Sequence, residues 1–284
     1  MNDDLVLTLS CVDRPGIVAT VAGFLADRGF TIRDSQQFGD DDTELFFLRI
    51  HAAREGSISF ETVRQEFAAV VADPLEAEWA IQDPSHRQRA LVMVSRQGHC
   101  LNDLLHRSRI GSLPAEIVAV VSNHEDFREL VEWHGIEFHH VPVTAETKVQ
   151  AEDELRKLIS THDIDLVVLA RYMQILSDDL CRDLAGRAIN IHHSLLPSFK
   201  GARPYYQAHA RGVKVIGATA HYVTAELDEG PIIEQDFTRV DHSSSAADLT
   251  ATGRDLEALA LARAVTAHAE YRVLLNGSRT VVFR

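Results

Sequence analysis

The sequence contains only three cysteines and has no long hydrophobic run. Cys11, Cys100 and Cys181 are widely separated and odd in number, which fits neither a disulfide framework nor a Cys-x-x-Cys zinc site. We expect them to be small buried side chains in a reducing cytoplasm. The longest apolar stretches, such as residues 164–170, contain charges and fall short of the ~20 apolar residues that span a membrane. The N-terminus lacks a basic segment followed by an apolar one, so no secretory signal is expected.

Basic residues are also in deficit, since 28 Lys and Arg stand against 42 Asp and Glu in 284 residues, a formal net charge of −14. This balance argues against nucleic acid as a partner, because phosphate binding needs a basic surface. The chain is 45% hydrophobic and 25% charged, the composition of a globular protein with a sizeable core, and its length favours about two domains. The fifteen histidines show no His-x-x-x-His or other recognised ligand spacing, so the sequence predicts no metal site.

The first part of the chain, residues 1–82, has the pattern of a small α/β domain. Asp13-Arg14-Pro15-Gly16 is a turn that ends the first apolar strand, and apolar residues at helical spacing follow from Ile17. The predicted order is βαββαβ, the ferredoxin-like arrangement. The predicted strands are 5–9, 30–38, 44–52 and 75–81, and the second helix is 57–71. Residues 83–89 are polar and contain a proline, which is typical of a linker.

Residues 90–284 form the second predicted domain, in which short apolar strands alternate with helices. This alternation predicts a Rossmann-like, mostly parallel sheet with helices on both faces, whose ligands bind beyond the carboxyl ends of the strands. The predicted strands are 90–94, 116–121, 137–141, 164–169 and 188–191, with helices at 99–108, 125–134, 149–161 and about 177–185. Two further β-like runs, 213–223 and 231–240, precede a long helix predicted over residues 247–275.

Polar residues with catalytic chemistry stand at the end of one of these strands. Asn190 and His192 are two residues apart and therefore project to the same side of an extended strand. An amide can stabilise an oxyanion and an imidazole can move a proton near neutral pH, although a strand-end histidine more often satisfies local hydrogen bonds. Asp228-Glu229-Gly230-Pro231 is a turn signature. By itself it indicates either an acidic hairpin tip or a carboxylate that orients an imidazole.

Together the two segments resemble the formyltransferase family, whose pattern is Asn-x-His, then Ser-Leu-Leu-Pro and a Gly, then His-x-Val-x-x-x-x-Asp-x-Gly-Pro-Ile. The resemblance covers residues 90–239 and implies that Asn190, His192 and Asp228 are catalytic, with 10-formyltetrahydrofolate as formyl donor and no separate cofactor. Residues 169–176 look like the family's pterin pocket. The substrate-binding residues that the resemblance implies are Met173, Gln174, Ile175, Leu176, Gly201 and Val223.

The N-terminal part has a resemblance of its own, to ACT domains, which commonly bind amino acids at subunit interfaces. It implies an effector site at Asp13, Arg14, Pro15 and Gly16, with methionine or glycine as effector, and a homo-oligomer. An ACT domain ahead of a formyltransferase domain is the arrangement of the formyltetrahydrofolate deformylases, which release tetrahydrofolate and formate for purine synthesis. Residues 121–125, 190–205 and 217–222 also resemble that branch of the family.

One loop bears on the acceptor of the formyl group. Glycinamide ribonucleotide transformylases carry Ser-Gly-x-Gly-Ser-Asn after the first strand as a phosphate cradle, where glycine allows close backbone approach. This chain reads Ser95-Arg96-Gln97-Gly98-His99-Cys100, which is similar to that loop but has lost a glycine and the Ser-Asn pair. The change favours water as acceptor. An amine acceptor, with Arg96 meeting a phosphate, remains the alternative, and a catalytically silent amino-acid or folate sensor is a third.

The mechanism that the resemblance implies is attack of water on the formyl carbon, with Asn190 and His192 stabilising the oxyanion. Asp228 would bind the water and orient or ionise His192, acting as base directly or by relay. His193 either shapes the site or has a packing or surface role, and His139-His140 either lines the cleft or lies in the core or at the surface. Lys200 and Arg203 either meet the folate glutamate tail or belong to a solvated loop.

Overall fold

The structure of the chain is a computed structural model, and it describes residues 2–56, 58–198 and 204–284. Two compact units are present. The first comprises the described residues of Met1–Arg87 together with Glu270–Asn276 and Thr280–Arg284, and the second comprises those of Gln88–Ala269 with Gly277–Arg279. In the described ranges no helix has the length and apolar character needed to cross a membrane.

The first unit is built on a four-stranded antiparallel sheet in the order β2-β3-β1-β4. Its elements are β1 (Asn2–Val12), α1 (Ile17–Asp27), β2 (Thr31–Asp40), β3 (Leu45–Glu55), α2 (Phe60–Phe67), a π-helical turn (Ala68–Ala72), α3 (Asp73–Leu75) and β4 (Glu78–Gln82). Helix α2 begins after Ser59, whose hydroxyl accepts a hydrogen bond from the Thr62 N–H. Phe67, fully buried, packs edge-on against Phe24 and tilted against Trp79. The predicted βαββαβ order is confirmed.

The second unit contains a seven-stranded sheet in the order β11-β10-β9-β8-β5-β6-β7. Strands β5 to β9 pair in parallel, and β10 and β11 continue the sheet antiparallel, which confirms the predicted mostly parallel sheet. The strands are β5 (Gln88–Val94), β6 (Ala115–Ser122), β7 (Glu137–His140), β8 (Leu166–Leu169), β9 (Ala188–His192), β10 (Val215–Tyr222) and β11 (Ile232–Arg239). The helices are α4 (His99–Arg109), α5 (Arg128–Trp133), α6 (Lys148–Thr161), α7 (Asp178–Asp183), α8 (Pro204–Ala210) and α9 (Ala246–Ala269).

The end of the chain differs from the prediction of a helix over 247–275. Helix α9 ends at Ala269, and β12 (Val273–Asn276) and β13 (Arg279–Val282) form a hairpin. Asn276-Gly277 is a strong hairpin-turn dipeptide, and Gly277 has a φ of 60°, in the left-handed region. The helical prediction is therefore wrong beyond residue 269. The apolar residues after Ala269 belong to β12, and Asn276-Gly277 turns the chain into β13.

The C-terminal residues 270–284 pack largely with the first unit, whereas the sequence placed them in the second domain. The Asn276 side-chain amide donates to Asp40 at 2.6 Å, and the Arg284 N–H donates to Gln36 at 2.8 Å. The guanidinium of Arg49 donates to the carbonyls of Tyr271 and Glu270 at 3.1 and 3.0 Å. These polar contacts join positions more than 200 residues apart in sequence, which no local pattern indicates.

Candidate active site

Strands β9 and β10 place three polar side chains side by side. Asn190 stands directly opposite His221 in the antiparallel register, and His192 stands opposite Thr219. The side chains of Asn190 and His192 leave β9 on the same side, as their spacing predicts. His192 and His221 are 5% and 2% exposed. The site is thus built where β9 reaches its carboxyl end.

The tautomer of His221 follows from its contacts. Its Nδ1 lies 2.9 Å from the carbonyl oxygen of Tyr222, which can only accept, so Nδ1 carries the proton. Burial lowers the pKa of His221, which keeps the ring neutral and leaves a lone pair on Nε2. The Asn190 Nδ2 donates to that nitrogen at 3.2 Å. His221 therefore fixes the orientation of the Asn190 amide, and the second hydrogen of that amide stays available.

His192 and Asp228 form the second pair of the site. The imidazole Nδ1 lies 3.2 Å from Asp228 Oδ1, and the hydrogen bond from His192 lowers the pKa of Asp228, so the carboxylate is ionised and Nδ1 donates. The other ring nitrogen, Nε2, is buried and has no hydrogen-bond partner among the described residues. Unpartnered buried nitrogens are rare in proteins, and this one is free to exchange a proton with a ligand.

Asp228 owes its position to the loop between β10 and β11. Its φ is 58°, in the left-handed region that aspartate tolerates better than most residues. Two residues later the loop passes so close to β10 that a Cβ on Gly230 would lie 1.7 Å from the carbonyl oxygen of Tyr222. The Tyr222 N–H also donates to the carbonyl of Pro231 at 2.9 Å. The loop is therefore held against the strand that carries His221.

A cavity of about 520 Å³ adjoins these groups, and Asn190, His192 and Asp228 all line it. Five of the six predicted substrate-binding residues line the same cavity: Met173, Gln174, Ile175, Leu176 and Val223. Met173 and Ile175 are 56% and 62% exposed, although both are apolar. Gly201, Lys200 and Arg203 lie outside the described residues. The size and largely apolar wall of the cavity suit one small-molecule ligand.

A cluster of charged and polar side chains that the sequence did not point to also adjoins the cavity. Glu257 on α9 is 1% exposed, and its carboxylate contacts His99 Nε2 at 2.8 Å, the Tyr205 hydroxyl at 2.7 Å and Arg171 Nε at 3.3 Å. Arg171 also donates to Gln97 at 3.0 Å. We call these five residues the Arg171 cluster. One feature of the sequence indicates that Glu257 is buried. It precedes the apolar residues Ala260 and Leu261 by three and four positions, the spacing that places all three on one face of a helix.

The Glu257 carboxylate is ionised in this cluster. Burial raises its pKa, but the hydrogen bond from His99 and the positive charge of Arg171 outweigh burial, and the net pKa is lowered. Tyr205 is the opposite case, because burial and the Glu257 charge raise the pKa of its hydroxyl, which therefore remains a donor. The carboxylate is thus a charge that the fold has surrounded with donors.

His193 stands between the His192–Asp228 pair and the Arg171 cluster. Its ring centroid lies 5.0 Å from that of His192 and 6.2 Å from that of Tyr205, and it lines the cavity. Burial, together with the nearby Arg171 charge, lowers its pKa to about 3. The sequence left His193 either a role in shaping the site or a packing or surface role. In the structure it is a neutral ring that lines the cavity.

The remaining predicted residues lie elsewhere. Asp13, Arg14, Pro15 and Gly16 form an exposed turn of the first unit, in which the Asp13 N–H donates to Glu44 at 2.8 Å and the Arg14 guanidinium donates to Pro74 at 2.7 Å. His139 and His140 do not line the 520 Å³ cavity. His140 Nδ1 instead lies 2.8 Å from Glu125.

Two side-chain groups in the described part of the chain have ligand atoms close enough together to hold a metal ion. One is His99, Cys100 and Glu257, and the other is Glu137, His139 and His162; within each the ligand atoms lie within 4.8 Å of one another. In the first group the Glu257 oxygens are already engaged by Arg171, Tyr205 and His99. The second group joins two residues of β7 to His162, directly after α6, and a set that joins such distant positions leaves no recognisable ligand spacing in a sequence.

The stability of the protein is expected to fall as the pH falls below about 6.5, because buried imidazoles resist protonation. Burial lowers the pKa of His193 to about 3 and that of His268 to about 4. The unfolded chain then binds more protons than the folded chain between pH ~4 and ~6.5, so each group adds a slope of up to ~1.4 kcal/mol per pH unit. Urea unfolding at pH 7.5, 6.0 and 5.0 measures this slope. His268→Gln should reduce it and the exposed control His209→Gln should not; an unchanged slope in His268→Gln contradicts the prediction.

Comparison with known proteins gives matches over both parts of the chain. The model of the formyl transferase family matches residues 88–265, and that of the ACT domain family matches residues 5–70. A formyltetrahydrofolate deformylase from Corynebacterium sp. (strain P-1) is 51% identical over 280 residues, which is 98% of each chain.

Solved structures agree with these matches. The crystal structure of a formyltetrahydrofolate deformylase from Burkholderia mallei superposes with a TM-score of 0.94 at 50% identity and covers 99% of this chain and 100% of its own. A glycinamide ribonucleotide transformylase from Symbiobacterium toebii is more distant, with a TM-score of 0.67 at 30% identity over 72% of this chain and 97% of its own. The similarity to deformylases therefore extends over both units, and that to the transformylase over part of the chain.

Proposed function

Since the chain belongs to the formyltetrahydrofolate deformylase family, we propose that it hydrolyses 10-formyltetrahydrofolate to tetrahydrofolate and formate. The observation that carries this proposal is the pair His192–Asp228 beside Asn190 at the wall of one cavity. A proton acceptor, a carboxylate that supports it and an amide donor are the groups that hydrolysis of a formamide needs. The reaction needs no cofactor beyond the folate itself.

The mechanism follows from the hydrogen-bond directions. Water attacks the formyl carbon while the free Nε2 of His192 takes one of its protons, and Asp228, bonded to Nδ1, stabilises the imidazolium that forms. The second hydrogen of the Asn190 amide stabilises the oxyanion. As the carbon–N10 bond breaks, the imidazolium returns its proton to N10, and formate and tetrahydrofolate leave. Asp228 thus acts by relay, which is one of the two roles the sequence left open.

The cavity wall supports the assignment of the substrate-binding residues. Met173, Ile175 and Leu176 supply apolar surface for a pterin ring, and the Gln174 amide and Val223 border the same space. The exposed faces of Met173 and Ile175 are the surfaces that a bound ring would cover. The proposal extends to Gly201, and Lys200 and Arg203 are the cations proposed for the folate tail.

The function is tested by incubating purified protein with 10-formyltetrahydrofolate and no acceptor. We expect tetrahydrofolate and formate in equal amounts, followed by absorbance and by a coupled formate assay. Turnover that appears only when an amine is added would instead identify a formyltransferase, and tight binding without turnover a sensor. The intact catalytic positions Asn190, His192 and Asp228 favour the hydrolase over the sensor.

The first unit supports a regulatory proposal, because it matches the ACT domain family and ACT domains commonly bind amino acids. The turn Asp13-Arg14-Pro15-Gly16 is the proposed effector site, with methionine and glycine as effectors. The largely exposed edge strand β2 suits pairing in a homo-oligomer. The same assay repeated with either amino acid tests this, since a change in rate is expected with wild-type protein and not with Arg14→Ala. The three free, buried cysteines fit the reducing cytoplasm, and the released formate is proposed to supply purine synthesis.

A further inference from the structure

Arg171 has a backbone conformation that arginine rarely adopts. Its φ is 66°, in the left-handed region that favours glycine, and the residue is only 6% exposed. Hydrogen bonds hold the chain on either side: the Ser95 N–H donates to the Arg171 carbonyl at 3.2 Å, and the Met173 N–H donates to the Ser95 hydroxyl at 3.0 Å. A strained backbone that is held so firmly indicates that the position of this side chain matters.

The side chain of Arg171 makes one hydrogen bond and one ion pair, and its buried Nε has ion-pair but not hydrogen-bond geometry toward Glu257. Its Nη2 donates to Gln97 at 3.0 Å and its Nε lies 3.3 Å from Glu257. Glu257 is in turn fixed by His99 and Tyr205, so the guanidinium is locked within a network that draws on α4, α8 and α9. The hydrogen bond at Nη2 and the ion pair at Nε therefore keep this long side chain in one place beside the cavity.

The Arg171 side chain lines the cavity that also holds the groups proposed to act on the formyl carbon. Arg171, Gln97 and Glu257 line the same cavity as Asn190, His192 and Asp228. The ring centroids of His192 and His193 are 5.0 Å apart, and those of His193 and Tyr205 are 6.2 Å apart. The Tyr205 hydroxyl donates to Glu257, so a continuous row of side chains connects His192 with Glu257. The cavity therefore has an apolar part, with Met173 and Ile175 among its residues, and a charged part made by the Arg171 cluster.

We propose that Arg171 determines acceptor specificity. Its guanidinium, paired with Glu257 and hydrogen-bonded to Gln97, fills the part of the cavity that an amine acceptor would need, so that water is the nucleophile. The inference rests on the proposed function, because it concerns the acceptor of that same reaction. With an amine, the acceptor nitrogen would form the bond to the formyl carbon and lose a proton, the carbon–N10 bond would break, and N10 would gain a proton. His192 can transfer the protons in both the hydrolysis and the amine reaction. The space available beside the formyl carbon therefore determines whether water or an amine attacks.

The test is a set of variants at this position. Arg171→Gly removes the side chain and also suits the φ of 66°. It leaves Glu257 buried without its cation, so the double variant Arg171→Gly/Glu257→Gln removes both charges. The new amide oxygen can accept from the Tyr205 hydroxyl, and the amide N–H₂ can donate to His99 Nε2 when that ring carries its proton on Nδ1. Arg171→Lys is the matched control, because it retains a cation and most of the bulk.

Each protein is incubated with 10-formyltetrahydrofolate and either hydroxylamine or glycinamide, and mass spectrometry measures formate against the formylated amine. We expect the wild type and Arg171→Lys to release formate. Arg171→Gly and Arg171→Gly/Glu257→Gln, in which the cavity is larger, should transfer at least tenfold more of the formyl group to the amine. A purely structural role for Arg171 would lower both products together. An unchanged product ratio in a variant that turns over overturns the inference, whereas absence of formate from the wild type contradicts the proposed function instead.

A binding measurement covers variants with little turnover. Calorimetry with glycinamide ribonucleotide, the substrate named for the transformylase relative, reports occupancy of the acceptor space without chemistry. At least a tenfold gain in affinity in the double variant over the wild type is expected. Equal affinity in the folded double variant and the wild type rejects the inference.

Discussion

Asp228→Asn is expected to reduce the turnover number by at least about 1,000-fold while changing folate affinity by less than about threefold. The carboxylate accepts a hydrogen bond from His192 Nδ1 and would stabilise the imidazolium formed when water is deprotonated. An amide is neutral, and its N–H₂ would favour the other tautomer of the ring, with the proton on Nε2. The base would then be blocked at the nitrogen that faces the cavity. Single-turnover kinetics and calorimetry with a non-hydrolysable folate measure the two quantities separately.

A matched control exists for this substitution. Asp163 is also an aspartate in the left-handed region, with a φ of 47°, and lies on an exposed turn after α6. Asp163→Asn makes the same chemical change in the same backbone conformation, and we expect near wild-type turnover. Near-normal turnover of Asp228→Asn would show that this carboxylate does not act through His192. A loss of folate binding equal to the loss of turnover would assign it to binding.

Gly230→Ala is expected to lower turnover by at least about 100-fold, because misplacing a catalytic group by about 1 Å has effects of that size. The added Cβ would lie 1.7 Å from the Tyr222 carbonyl oxygen and 3.2 Å from His221 Nδ1. Both obstacles belong to β10, which is paired with β9 on one side and β11 on the other, so the loop must move and take Asp228 with it. Overpacking of this kind also destabilises by about 1–3 kcal/mol. Urea unfolding and steady-state kinetics measure the two effects.

Gly23→Ala provides the control for the same chemical change. Gly23 lies inside α1, and a Cβ there meets no atom within 4 Å. We expect unchanged turnover and a free energy of unfolding that is equal to that of the wild type or higher by up to about 1 kcal/mol. Alanine is more stable than glycine inside a helix, because glycine loses more backbone entropy on folding. If Gly230→Ala behaved like Gly23→Ala, the close passage of the Asp228 loop over β10 would not be required for function.

Much of the fold was predictable because its patterns are local. The alternation of strands and helices from residue 90 predicted the parallel sheet, and the βαββαβ order predicted the first unit. The error at the C-terminus is instructive, because helix α9 ends at Ala269 although the apolar residues continue. The Asn276-Gly277 turn was the local signal, while polar contacts to Asp40 and Gln36 stabilise the hairpin from far along the sequence.

The candidate site divides in the same way. Asn190 and His192 were predictable as a pair, since two residues of one strand share a side whatever the tertiary structure. The role of His221 as the partner of Asn190 was not, because it depends on the antiparallel register of β10 against β9. Nor did the sequence show that Asp228 bonds Nδ1 of His192 and leaves Nε2 free, since that depends on how the loop lies against the strand.

The sequence alone therefore determined the βαββαβ order of the first unit, the mostly parallel sheet of the second and the identity of the strand-end residues, because these depend on period, turn chemistry and short spacings. The tertiary structure alone decided which groups face one another. Arg171 and Glu257 are 86 positions apart, and only the packing of α9 beside the loop after β8 makes them an ion pair at the cavity. The same packing keeps Glu257 ionised, since burial raises the pKa of this carboxyl but the hydrogen bond from His99 and the charge of Arg171 lower it further.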